Sequence, residues 1–135
     1  MELRAPEKVT FTIPILPPSV NHYVEHPGAG IHRKSAAAKA FGRDFPLFSR
    51  GLFVVSQSGR FSVTLDYWLG KGDRGDVDNF NKLPLDCAAK AGMLRNKKGK
   101  EVSDAWIKRM TVNIHDSDED RKLGPQTVMT IEGME

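Results

Sequence analysis

The stretch that decides the fold runs FSVTLDYWL (61–69), GKGDRGD (70–76) and VDNFNKLPLDCAAKAG (77–92). In its first part Phe61, Val63, Leu65, Tyr67 and Leu69 alternate with Ser62, Thr64 and Asp66, the period-two pattern of a strand buried on one face. The second part is a glycine-rich turn. The third part is helix-forming, with Phe80, Leu83, Cys87, Ala88 and Ala91 on one apolar face and Gly92 suited to the left-handed position that ends a helix. Pro84 has no N–H to donate and belongs in a first turn, so the regular helix is expected to start near Asn81, with 76–79 as its approach.

Upstream, Val9, Phe11, Ile13 and Ile15 alternate with Thr10 and Thr12 as a half-buried strand, and Pro14 puts it at an edge or ends it. Pro17, Pro18, Ser19 and Asn21 turn the chain, and Gly28 to Gly30 mark a flexible loop. Ser35 is suited to cap a helix through AAAKAFGRDF (36–45), with Ala37, Phe41, Phe45 and Phe48 on one side and Gly42 and Pro46 weakening its far end. Downstream, 102–114 reads as a strand with Trp106, Met110, Val112 and Ile114 facing one way, and 127–132 as another. The order β-α-β-α-β-β predicts an α+β fold, a small mixed sheet with two helices packed on it, in one domain over 1–135.

Composition fits that size. The 135 residues are 39% hydrophobic and 27% charged, ordinary for a soluble globular protein with one core. The net charge is +3 and its distribution is uneven: Arg95, Lys97, Lys98 and Lys100 alone contribute four positive charges, leaving the rest of the chain at a net −1. One concentrated basic run on a balanced body suggests a local anionic contact. The single cysteine, Cys87, allows no internal disulfide and is expected in the core. The N-terminal MELRAPEKVTF lacks a signal-peptide apolar stretch and no segment is long and apolar enough for a membrane span, so a cytoplasmic protein without membrane contact is expected.

The chemistry concentrates in 76–104. Asp76 and Asp78 fall on one side of an extended chain, and Asp78, Lys82 and Asp86 then follow at helical steps of four, each drifting only about 40° around the axis. Clustered carboxylates repel unless a cation compensates, and Mg²⁺ takes oxygen ligands of this kind together with water and substrate phosphate. On spacing alone the same row also describes a capped, solvated helix face. The spacing does not decide between them.

Two separated stretches together resemble the RusA family of Holliday-junction resolvases. Pro17-Pro18-Ser19-Val20-Asn21-His22-Tyr23 looks like the family's P-P-S-x-N-x-Y motif, and 76–86 is similar to its D-x-D-N-x-x-K-x-x-L-D core at the same spacing. The resemblance implies a homodimeric, Mg²⁺-dependent endonuclease, with Mn²⁺ as a substitute ion, that resolves four-way DNA junctions. It makes Asp76 and Asp78 the catalytic acids and metal ligands and Lys82 the essential lysine. The pattern breaks after Gly92. Where the family carries an adjacent acidic pair, this chain has Asn96 and Lys97. Asp86, Glu101 or Asp104 is expected to complete the metal shell, Asp104 ahead of Glu101, with Asn96 a further oxygen donor. The alternative is a branched-DNA-binding protein that cuts weakly or not at all.

Arg74, Asn79, Arg95, Lys97, Lys98 and Lys100 are the expected DNA contacts, and Arg33, Lys34 and Lys71 are lesser candidates. HDSDEDR (115–121) imitates the start of an EF-hand loop, but Arg121 stands where glycine is needed and Thr127 where glutamate should close the shell, so a solvated loop is expected. His22, His26 and His32 lack partners for a zinc set. Trp68 and Trp106 are expected to pack in the core.

Overall fold

The computed structural model describes residues 7–18, 24–28, 31–34, 36–73 and 81–135, with side chains of 24–34 left aside. Four strands make the main sheet: β1 (Lys8–Ile13), β5 (Phe61–Trp68), β7 (Ile107–His115) and β8 (Gln126–Gly133). Their order is β1-β8-β5-β7, with β8 antiparallel to both neighbours and β5 parallel to β7. A parallel pair needs a long crossover. Here that crossover carries α2 (Lys82–Lys90), while α1 (Ala36–Ser49) precedes β5.

The alternation in β5 is realised residue by residue. Phe61, Val63, Leu65 and Tyr67 are buried, and the intervening residues face the other side. Val9, Phe11 and Ile13 of β1 and Met129 and Ile131 of β8 join them, and α1 and α2 close the layer with Phe41, Phe45, Leu83 and Ala88. Each large apolar side chain buried this way contributes about 1.5–3 kcal/mol. Phe11 meets Phe45 edge-on with ring centroids 5.6 Å apart, which fixes α1 against β1. Cys87 is buried, as expected.

The α+β architecture and the four main strands match the sequence pattern, and several local details differ. Either side of the loop expected at 28–30, of which 29 and 30 lie outside the described residues, are two strands the sequence did not suggest, β2 (Val24–Gly28) and β3 (Ile31–Lys34), paired antiparallel. A small parallel pair, β4 (Val54–Val55) with β6 (Leu94–Arg95), is too short to leave a period in the sequence. The buried stripe of α1 is Ala38, Phe41, Phe45 and Ser49, whereas Ala37 and Phe48 are exposed. The helix runs through Gly42 and Pro46 to Ser49. In α2 Ala91 lies past the last turn and is exposed, and Pro84 takes its place on the buried side.

The strand expected from 102 starts at Ile107, because Ser103 accepts a hydrogen bond from the Ala105 N–H and folds Asp104–Trp106 into a 3₁₀ turn. Trp106 is therefore 48% exposed, with the Lys108 ammonium 5.5 Å from its ring centroid, and does not pack in the core. Trp68 stacks on His115 across the sheet face away from the helices, at 4.0 Å and 6°. The 115–121 run is likewise no loop. Asp118–Leu123 forms a third helix, α3, because Ser117 and Asp120 make a reciprocal capping box.

Among the described residues no helix is long and apolar enough to cross a membrane.

Candidate functional site

The helix α2 is set in place from below. Tyr67, on the buried face of β5, donates its hydroxyl to Asn81 Oδ1 at 3.0 Å, and Asn81 is itself buried at the N-cap position. Burial pushes the Tyr67 phenol well above its ordinary range, so it stays a neutral donor. This bond fixes the residue at which the helix begins, and so fixes the directions of Lys82 and Asp86. Leu83, Cys87 and Ala88 bury the opposite face. Gly92 then ends the helix at φ 71°, as the sequence requires.

Lys82 and Asp86 lie one turn apart, with Nζ 3.6 Å from Oδ2. The lysine side chain is 61% exposed and the aspartate 23%, so the pair sits at the surface. A third charge arrives from outside the helix. The Ser103-capped turn brings Asp104 within hydrogen-bonding reach of Asp86, on the side where Lys82 also acts. The Asp104 carboxyl is raised above its ordinary value, first by burial and then by the hydrogen bond and negative charge of Asp86; Lys82 partly opposes this. Two carboxylates held this close, beside Lys82, are hard oxygen donors of the kind that suits a divalent cation.

The other expected ligands stand apart from this pair. Glu101 lays its carboxylate over Gly92, where any Cβ would collide with it, so Gly92 is required by close approach as well as by φ. Asn96 Oδ1 accepts hydrogen bonds from the N–H groups of Lys98 (2.9 Å) and Lys100 (3.1 Å). That oxygen holds a turn. Asp76, Asp78, Arg74 and Asn79 lie outside the described residues, as do Ser35, residues 19–23 and the side chains of His26, His32, Arg33 and Lys34. Among the described residues no three His, Cys, Asp or Glu side chains form a metal-holding group; Asp86 and Asp104 are two.

The basic run is a hairpin rather than an open loop. Arg95 and Glu101 bridge its base, Gly99 N–H bonds Asn96 O at 2.8 Å, and Gly99 takes φ 78°. Lys97 and Lys98 stand exposed at its tip, and Lys100 is exposed beside them. Arg95 is half-buried instead: its guanidinium covers the Phe53 ring at 4.2 Å and its Nε donates to Gly92 O at 3.0 Å. Lys71 is exposed in the turn after β5.

Sequence reasoning missed Arg121. From α3 its Nη1 donates to Gly70 O (2.7 Å) and Asp73 O (3.0 Å), and its Nε to Asp116 O (3.0 Å). Asp73 Oδ2 also accepts from Gly70 N–H at 2.7 Å. The last described turn before Asp76 is thus clamped at both ends. The signal was the S-x-x-D capping box at 117–120, which marks a helix start.

No protein-family model matches the chain, and no curated protein is similar enough in sequence to count as a relative.

Proposed function

We propose that this protein is a divalent-metal-dependent endonuclease that hydrolyses the phosphodiester backbone of four-way DNA junctions and works as a homodimer in the cytoplasm. The observation that carries the reading is the approach of Asp104 to Asp86 beside Lys82. It brings an acid of the Ser103-capped turn to an acid and a base of α2, the helix that follows the D-x-D run in sequence. Asp86 and Asp104, with Asp76 and Asp78 from the preceding segment, would hold Mg²⁺ or Mn²⁺. When bound, such an ion supplies Lewis acidity toward the scissile phosphate. Lys82, exposed beside the acids, meets the negative charge that grows on the phosphate oxygens during attack. Lys97 and Lys98 at the hairpin tip hold the DNA backbone without reading sequence. A homodimer suits a junction that needs two symmetric cuts.

A second reading is favoured by one observation. Asn96 stands where the resembled family carries an acid, and its amide oxygen is used within the hairpin. A junction-binding protein with little turnover is the consequence if Asp104 does not replace that acid.

The test is a synthetic four-way junction incubated with Mg²⁺ or with EDTA, using wild type and Asp78→Asn. Metal-dependent paired nicks that vanish in the variant are the expected result. Binding without nicking in either Mg²⁺ or Mn²⁺ supports the binder, and neither binding nor nicking overturns both readings.

A further inference from the structure

The two helices on the sheet do not close on each other along their whole length. Between them lies a groove of about 370 Å³. Its apolar lining comes from both helices, with exposed Pro46 of α1 and the accessible edge of Cys87 of α2 over the buried Phe45 and Leu83. Its exposed rim carries Lys39, Arg43 and Lys90 against one carboxylate, Asp86; Asp44, bonded to Arg43, lies outside the lining. An apolar floor under a cationic rim fits a flat, weakly polar group that carries a negative charge at one edge.

Gly42 adds a second observation. It sits in the middle of α1 on the groove wall, its φ is not positive, and a Cβ built there meets nothing within 4 Å. Neither backbone conformation nor crowding calls for glycine, yet glycine weakens a helix interior relative to alanine. A side chain at 42 would extend into open space at the groove wall, which the glycine leaves clear. Pro46, one turn on, is another poor helix former on the same wall.

We infer that the groove between α1 and α2 holds one unstacked nucleotide of the branched substrate, its base against Pro46 and Cys87 and its phosphate among Lys39, Arg43 and Lys90. The choice of nucleic acid rests on the endonuclease reading above, since Asp86 belongs both to the groove and to the acidic pair. A volume near the lower end of small-ligand pockets, about 300–1,000 Å³, admits one base but no stacked pair. Branch points are where bases leave the stack at least cost, and an unpaired base held on an apolar floor needs no sequence-specific contact. The nucleotide so held sits next to the phosphate at the acids.

The test uses fluorescein-labelled dT4 in EDTA, with binding followed by anisotropy, so that neither metal nor cleavage enters the readout. Gly42→Leu alters no charge and should weaken dT4 binding about tenfold or more, at a melting temperature no lower than wild type. Gly42→Ala should retain most of the affinity, and the triple variant Lys39→Ala/Arg43→Ala/Lys90→Ala should lose affinity and flatten its salt dependence. A wild-type probe carrying 5-iododeoxyuridine should crosslink to peptides containing Pro46 or Cys87, a measurement that requires no variant to fold. Unchanged affinity in a folded Gly42→Leu, crosslinks confined to the Lys97–Lys98 hairpin, or no dT4 binding by wild type would each overturn the inference. Failure of the endonuclease reading looks different: dT4 still binds and crosslinks in the groove while junctions are never nicked.

Discussion

On one shoulder of α2, Asp86 meets Asp104 from beyond the hairpin; past the helix end, the basic run 95–100 closes upon itself. Both regions are dense in charge, and the sequence presents the second more loudly. They are built in opposite ways. The acidic pair brings like charges together beside Lys82, an arrangement that local folding does not require. The hairpin satisfies its own polar groups through Asn96, Gly99 and the Arg95–Glu101 bridge, so only the lysines at its tip and base remain available. Convergence without local need marks a candidate site. Local satisfaction marks a scaffold that carries charge.

The largest effect expected from this contrast is on the acidic side. Asp104→Ala and Asp86→Ala should each lower metal-dependent junction nicking by about 10²–10³-fold, as removal of a directly acting charged or hydrogen-bonding group does. Binding of the junction in EDTA should change little or strengthen. Nicking at the wild-type rate in Asp104→Ala would show that the missing acid is supplied elsewhere, and Glu101→Ala is then the variant to compare.

The hairpin side should respond in stability before activity. Asn96→Ala removes two side-chain-to-backbone hydrogen bonds and is expected to cost about 1–2 kcal/mol in denaturant unfolding. The concentration of Mg²⁺ or Mn²⁺ that gives half-maximal nicking should stay where it was. A marked rise in that concentration with stability intact would make Asn96 a ligand after all and erase the distinction between the two regions.

Replacing both tip lysines by alanine should be milder. Lys97→Ala/Lys98→Ala leaves the hairpin hydrogen bonds in place, so unfolding should be unaffected. Each lysine withdrawn from a phosphate reduces the slope of log affinity against log salt by about 0.9, so a drop of about 1.8 is expected for the pair. An unchanged slope would remove the tip from the DNA interface.

What the sequence made legible follows the same division between strong periods and long-range contacts. The alternation at 61–69 gives the central strand, and Pro84 with Gly92 gives both ends of α2, because those signals are local and obligatory. Period alone misplaces Trp106, since a single Ser103 cap outweighs the apolar count of 102–106 and turns the chain before the strand begins. The role of Asn96 stays open in the sequence because an amide oxygen can ligate or cap, and only the positions of the Lys98 and Lys100 N–H groups decide. The meeting of Asp86 with Asp104 depends on that same Ser103-capped turn. The capping-box spacing at 117–120 marks the helix that carries Arg121, but its clamp on Gly70 and Asp73 joins elements far apart in the chain, and no spacing rule reveals that contact.

The smallest effect is also the most direct probe of the acidic pair without DNA. In the folded protein the Asp104 carboxyl titrates above its ordinary 3.8, through burial first and then through Asp86, so folding takes up a proton within the window that opens at that value and extends upward. The favourable contribution is complete below 3.8 and is lost as pH rises through the folded value, after which two carboxylates face each other charged. Asp104→Asn removes the repulsion and keeps a hydrogen-bonding group of the same shape. In EDTA at pH 7 its melting temperature should therefore exceed that of wild type by about 2 °C, a size set by solvent screening of a half-exposed pair. At pH 3, below the ordinary value of the Asp104 carboxyl, that charge is largely gone and the two proteins should melt close together. A variant less stable than wild type at pH 7 would mean that Asp104 is held there as a structural hydrogen-bond partner, and the acidic shoulder would then be as locally satisfied as the hairpin.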